Sequence, residues 1–256
     1  MIKPIISIIT VSLNSEGTII DTIRSVLSQT YPDIEYIVID GSSSDGTVEL
    51  IKSFGTRISK CISEPDNGIY DAINKGIRLS TGNIIGILNS DDFFYDKNVI
   101  QKVAAAFEKN EIDAVYGDVQ FVDPVYNSKI VRYYSSKHFN PKKFKFGFMP
   151  AHPSFYVKRE CYEKLGYYKT DYKIGADFEL LVRFLYIHKI TSKYLEIPFV
   201  SMRTGGISSK SIRSNISLNG EIARACRENG LSTNYFFIYS KYLTKIFEYF
   251  GKKVTD

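Results

Sequence analysis

Apolar residues in the first hundred positions fall into four runs that alternate with helical repeats. Ile5–Val11, Tyr36–Ile39 and Ile84–Leu88 are apolar at nearly every position, the pattern of strands covered on both faces, and Lys60–Ser63 reads as a shorter strand. Between them come Ile19, Ile23, Val26 and Leu27, then Val48 and Ile51, then Ile69, Ala72, Ile73, Gly76 and Ile77 at helical spacing. A fourth helix is predicted over Asn98–Lys109. Asn14 or Ser15 can cap the first helix, and Tyr31-Pro32 ends it. Strand–helix alternation with short connections predicts a mostly parallel sheet of right-handed crossovers.

That arrangement gives the polar residues after each run a shared place. Ligands of open α/β sheets bind outside the carboxyl ends of the strands. Asp40 ends the second strand, and Asp91 and Asp92 end the fourth. Adjacent carboxylates raise each other's pKa unless a cation relieves them, and Mg²⁺ is typically held by one or two carboxylates plus substrate phosphates. The alternative is that the pair caps the following helix. Asp40 can accept from ribose hydroxyls or a base N–H, or it can simply open the turn GSSSDG.

The later chain loses this regularity. Asp113–Tyr116 reads as a strand, and Val119–Val122 with Lys129–Tyr134 as a hairpin around Asp123-Pro124. Residues 137–148 (KHFNPKKFKFGF) are basic, aromatic and aperiodic, which suits a solvated loop or contact with an anionic lipid surface or phosphate. Phe155–Val157 is a short strand, and the helix after it stops at Gly166. Asp177 opens a helix with Leu180, Leu181, Phe184 and Leu185 on one face, where a carboxylate is ordinarily a dipole partner. Arg203 precedes a hinge at Thr204–Ser208. Helical pattern returns at Ser209–Glu228 and Tyr235–Phe250. The last helix mixes aromatics with Lys, so it suits either packing on the domain or a membrane interface.

Composition narrows the partners. The 256 residues are 44% hydrophobic and 24% charged, with a net charge of +5, too mild to imply nucleic acid. Cys61, Cys161 and Cys226 are too scattered for a metal or disulfide framework, which points to a reducing cytosol. No stretch is long and apolar enough to span a bilayer, and MIKPIISIITVSL reads as a first strand rather than a leader. Neither a G-x-G-x-x-G nor a G-x-x-x-x-G-K-[ST] pattern occurs. A bound diphosphate would therefore need a metal in place of a glycine-rich cradle.

Six segments resemble the family 2 inverting glycosyltransferases, in family order: SIITVSLN, IDGSSSDGT, EPDNGIYDAINKGI, ILNSDD, AHPSF and GADFELLVRF. The likeness spans roughly residues 4–208 and is nearest to bacterial enzymes of capsule, O-antigen and exopolysaccharide assembly. It implies a GT-A fold, a Rossmann-like and mostly parallel central sheet flanked by helices. It further implies a glycosyltransferase domain over 1–208, with a nucleotide-sugar half to about 118 and an acceptor half from 119, followed by a C-terminal helical extension over 209–256. By the resemblance, Thr10, Ser12 and Asn14 line the nucleoside pocket and Asp40 binds the base or ribose. Asp71 and Asn74 lie on the donor side. Asn89, Ser90 and Asp91 fall on the family's DXD signature, with Asp91 on the metal (Mn²⁺ or Mg²⁺) and Asp92 supporting it or touching the donor sugar. Asp177 falls on the catalytic base. His152 and Arg203 serve the diphosphate or the acceptor. Asn89 stands where the first Asp of the signature is usual, Ala176 where an acid often precedes the base, and Ile73 where the family commonly has Arg. The implied activity is metal-dependent hexosyl or N-acetylhexosaminyl transfer from a nucleotide-sugar, UDP-linked by preference, to a saccharide or lipid-linked saccharide. The implied setting is the cytoplasm, with peripheral contact at the inner membrane face. A non-catalytic nucleotide-sugar-binding subunit, a glycoside hydrolase working with two carboxylates and a nucleotidyltransferase are the competing readings.

Overall fold

The computed structural model describes residues 3–205 and 212–242. The predicted alternation is present. β1 (Ile6–Ser12), α1 (Ile19–Leu27), β2 (Ile34–Asp40), α2 (Thr47–Lys52), β3 (Lys60–Ser63), α3 (Ile69–Leu79) and β4 (Ile84–Ile87) follow in turn. β1 lies between β2 and β4, and β3 flanks β2, all in parallel. Side chains alternate across this sheet. Ile9, Val11, Ile37, Ile39 and Ile85 enter one core with α3, whereas Ile6, Ile8, Tyr36, Val38 and Ile84 enter the other with α1. Gly76 lets α3 lie against β1, because a Cβ there would fall 2.4 Å from Ile9 Cγ2.

The second half completes the sheet in mixed sense. β5 (Asp92–Phe94), α4 (Val99–Lys109), β6 (Ala114–Val122), β7 (Ile130–Tyr134), β8 (Tyr156–Lys158), α5 (Arg159–Leu165), α6 (Ala176–Leu181), β9 (Ser192–Arg203) and α7 (Ile212–Glu228) follow. The strand order is β3-β2-β1-β4-β8-β6-β9-β5, with β7 on β6. β8 runs antiparallel to both β4 and β6, and β5 antiparallel to β9.

Three departures from the sequence reading have physical causes. The strands expected over Asp113–Tyr116 and Val119–Val122 are one: β6 runs through Gly117-Asp118 as a single element, paired first with β8 and then with β7. Residues 192–203, to which the apolar pattern assigns no element, form the longest strand. Its pattern is blurred because Pro198 cannot donate to the ladder and the register against β6 shifts around Asp118. The Asp pair does not cap α4, since Asp92 is the first residue of β5 and α4 begins only at Val99.

The described part of the C-terminal extension is not a separate layer. Ile222, Ala225 and Cys226 of α7 share a core with Phe178, Leu181 and Phe184. Residues 137–148 contain a short helical turn over Pro141–Phe146 that Asn140 caps and Phe144 anchors in the same core. The later part of the hinge over Thr204–Ser208 and residues 243–250 of the last predicted helix lie outside the described residues.

Candidate active site

The carboxyl ends of β1, β2 and β4 form the rim. Asp40 lies at its base, fully buried. Its carboxylate accepts from Ser12 Oγ (3.1 Å), Ser43 Oγ (2.5 Å), Ser43 N–H (2.9 Å) and Ser63 Oγ (2.8 Å). A carboxylate offers about four acceptor positions, so all of Asp40's are taken from within the chain. These hydrogen bonds tie Asp40 to β1, to β3 and to the turn that follows β2. Ser12 is spent on Asp40. Thr10 faces inward, where its hydroxyl accepts from Tyr36 Oη at 3.1 Å. Asn14 remains at the surface in a left-handed conformation (φ 50°), and its Oδ1 accepts from Ser44 N–H at 2.9 Å, which locks the two rim loops together.

The loop after β4 carries the other candidates. Ser90 is buried, with its hydroxyl 2.8 Å from that of Ser15. Asn89 and Asp91 are half-buried. Asp92 is 2% exposed, and its Oδ2 has no hydrogen-bond partner. Burial first, and then the neighbouring charge of Asp91, push its pKa well above the usual carboxylate range, with Arg203 opposing. Among the described residues no group of three or more His, Cys, Asp or Glu side chains could hold a metal unaided. The residues fit a cation shared with a substrate. Asp91 offers a partly open carboxylate, Asp92 adds an orphaned oxygen behind it, and phosphates would complete the shell.

Arg203, its side chain 7% exposed, lies against the backbone of this loop. Its guanidinium donates to Asp91 O (2.7 Å), to Asn127 Oδ1 (3.2 Å) and to Asp21, and it stacks on Phe93. Arg203 thus braces the Asp91 backbone. Asn74 is likewise a brace. It is buried on α3, where its amide donates to Tyr168 O (2.8 Å) and accepts from Tyr168 N–H (3.0 Å). Asp71 accepts from Asn67 N–H at 3.0 Å and so closes the turn before α3.

The base candidate reaches the rim through a partner distant in sequence. β8 is antiparallel to β4, so the chain entering β8 passes the carboxyl end of β4. His152 lies on that entering stretch, and its Nδ1 is 3.0 Å from Asp177 Oδ2. The other oxygen, Oδ1, accepts from Phe178 N–H at 2.9 Å. The Asp177 side chain is 12% exposed and that of His152 39%. This is a largely buried carboxylate held between a backbone N–H and an imidazole nitrogen, an arrangement that can serve a general base. Tyr70, buried in the quoted EPDNGIYDAINKGI segment but not singled out from sequence, donates its hydroxyl to Ile174 O and stacks on Tyr168 at 5.8 Å. An aromatic at the first turn of a helix gives no warning in sequence that it reaches a loop a hundred residues away.

Comparison with known proteins identifies the family and the fold. The model of "Glycosyl transferase family 2" matches residues 7–166. An uncharacterised glycosyltransferase of Mycobacterium tuberculosis is 34% identical over 184 residues, covering 70% of this chain and 68% of its own. A "PGL/p-HBAD biosynthesis glycosyltransferase" of Mycobacterium bovis is 28% identical over 214 residues, covering 82% and 81%. Among solved structures, S. aureus TarS 1–349 in complex with UDP-GlcNAc superposes with a TM-score of 0.68 at 16% identity, over 86% of this chain and 66% of that one. The mannosyltransferase PcManGT from Pyrobaculum calidifontis, in complex with GDP-Man and Mn²⁺, gives 0.65 at 17%, over 89% and 64%. The chain thus spans just under two thirds of the length of these solved chains. They share its curled, mostly parallel sheet flanked by helices, which is the GT-A fold. By the extent of the family match and the identity to its relatives, the chain belongs to glycosyl transferase family 2.

Proposed function

We propose that the protein is an inverting glycosyltransferase that moves a sugar from a nucleotide-sugar, a UDP-sugar by preference, to a hydroxyl of a lipid-linked saccharide in surface-polysaccharide assembly. The observation that carries the reading is the His152–Asp177 pair at the strand ends from which Asn89–Asp92 emerges. Asp177 takes the acceptor hydroxyl proton as that oxygen bonds to the anomeric carbon. The bond from this carbon to the diphosphate breaks with its electron pair, and configuration inverts because attack and departure are in line. His152 holds the carboxylate in one orientation, and Arg203 holds the Asp91 backbone. A Mn²⁺ or Mg²⁺ ion bound through Asp91 would supply neutralisation of the leaving nucleoside diphosphate.

The test is thermal stabilisation by UDP, GDP and dTDP, each with Mn²⁺ and with EDTA. One nucleotide should raise the melting temperature with Mn²⁺ and not with EDTA. At a hundredfold excess over Kd the gain is about 2.7 kcal/mol, or roughly 5–10 °C for a chain of this size. No shift with any nucleotide overturns the reading. A shift without nucleoside diphosphate release from the matching nucleotide-sugar would favour a binding subunit.

Membrane contact belongs to the same proposal. Phe146 and Phe237 meet edge to face at 5.3 Å, which joins the basic 137–148 segment to helical residues 235–242. Tyr235, Phe236 (78% exposed), Tyr239 and Lys142 are exposed, Lys145 lies over the rings of Phe146 and Phe237, and neither segment contains an acidic residue. The protein should cosediment with phosphatidylglycerol vesicles and not with phosphatidylcholine vesicles, and Phe236→Ser with Lys142→Glu should release it. Equal recovery with both vesicle types would remove the lipid surface from the proposal.

A further inference from the structure

The helix that carries Asp177 begins without a cap of its own. Its N-cap residue is Gly175, which has no side-chain acceptor for the unpaired N–H groups of the first turn. The loop that leads into this helix is held from α7 instead. Glu221 Oε1 accepts from Lys173 N–H (2.8 Å), and Oε2 accepts from Ile174 N–H (2.9 Å) and Gly175 N–H (2.7 Å). Three consecutive backbone donors thus converge on one carboxylate, two residues before the base. Hydrogen bonds to an ionised acceptor are roughly twice as strong as neutral ones, and negative charge at a helix start is favoured by the dipole.

We infer that Glu221 is a positioning residue for Asp177, a clamp supplied in trans that fixes the loop entering the catalytic helix. The inference rests on Asp177 being the base. Tyr70 holds the carbonyl of Ile174 from α3 while Glu221 holds the N–H groups from α7, so the loop is pinned from two sides. His152 reaches only the carboxylate itself, so the direction in which Asp177 leaves the helix is set by this backbone. The fit at Gly175 is close: a Cβ there would stand 3.2 Å from both Glu221 Cβ and Oε2. Its φ of −106° suits any residue, so a methyl at 175 acts by pushing on Glu221 and not through backbone strain.

Two variants approach the clamp from opposite sides, Glu221→Ala by removing it and Gly175→Ala by displacing it. Glu221→Gln, which keeps one carbonyl acceptor, serves as the partial rescue. Three quantities are read: amide hydrogen exchange in the peptide over 171–178, kcat for UDP release from UDP-GlcNAc with Mn²⁺, and UDP affinity. In Glu221→Ala the amides of 173–175 should exchange on the order of 10–100-fold faster, while the β1–β4 peptides stay as in wild type. Turnover should fall by up to about 10²-fold, the cost of misplacing a catalytic group by an ångström. UDP affinity should hold within a factor of about two, since the Asn89–Asp92 loop is held by other partners, Ser15, Thr22 and Arg203. Gly175→Ala should follow the same pattern and Glu221→Gln should fall between. Faster exchange at 173–175 with wild-type turnover overturns the inference, as does unchanged exchange. Parallel loss of turnover, UDP affinity and melting temperature also overturns it, because Glu221 would then only support the fold. If wild type binds no nucleotide at all, the failure is that of the transferase reading.

Discussion

Asp177→Asn is expected to lower transfer by about 10²–10⁴-fold, the usual worth of a general base, while leaving nucleotide affinity near wild type. The substitution keeps shape and volume. Its Oδ1 can still accept from Phe178 N–H, as the Asp177 carboxylate does at 2.9 Å, so the first turn of α6 should persist. What is lost is the ability to take up a proton and the negative charge beside His152 Nδ1. The Asn89–Asp92 loop is held by separate partners: Ser15 on Ser90, Thr22 on the Ser90 and Asp92 carbonyls, and Arg203 on Asp91 O. None of them touches Asp177, so the two measurements should separate. Nucleoside diphosphate release would be followed alongside UDP-induced thermal shifts. Wild-type release in the variant would strip Asp177 of its role. Loss of nucleotide binding together with activity would show instead that Asp177 supports the donor pocket.

The separation of binding and chemistry also marks the limit of what the chain reveals in one dimension. The sheet was legible where strands are buried on both faces, because Ile6–Val11, Tyr36–Ile39 and Ile84–Leu88 leave little choice of environment. The shared rim followed from alternation alone. β9 was not legible: its outer half is exposed, Pro198 interrupts it, and its only full-length partner is the continuous β6. Within the site, residue types were easier to read than directions. Thr10 and Asn74 sit in quoted motifs and Arg203 beyond them, yet they point to Tyr36, Tyr168 and the Asp91 backbone. A motif names a neighbourhood, and pleat or helix phase decides which of its side chains meets a ligand. The His152–Asp177 and Glu221–Gly175 contacts join segments 25 and 46 residues apart through packing that no local pattern encodes.

Asp92→Asn should produce two opposite effects in one protein: higher stability without ligand and weaker metal-dependent nucleotide binding. The Asp92 carboxylate is almost fully buried with Oδ2 unpartnered, and burial together with Asp91 makes its ionised form costly. Leaving a buried polar atom unpaired costs about 1–3 kcal/mol, and more when it carries charge. The amide removes the charge at nearly constant volume, and the β5 backbone pairing with β9 is untouched. The melting temperature of the unliganded variant should therefore rise by a few degrees, with a gain over wild type that grows as pH is raised above the ordinary carboxylate range, because a carboxyl whose pKa is raised by folding destabilises the fold when it ionises. The same change weakens the negative field behind Asp91. Groups that support a metal ligand are typically worth about 10–100-fold in metal affinity, and the Mn²⁺-dependent part of UDP stabilisation should fall on that scale. Asp91→Ala should abolish that part altogether. Proteins commonly sacrifice stability at functional sites, so a gain on one side matched by a loss on the other is the signature of a carboxylate retained for binding. A lower melting temperature with unchanged nucleotide affinity would reverse the argument and make Asp92 an ordinary member of β5. With a gain and a loss together, the orphaned oxygen is the part of the rim that waits for a cation.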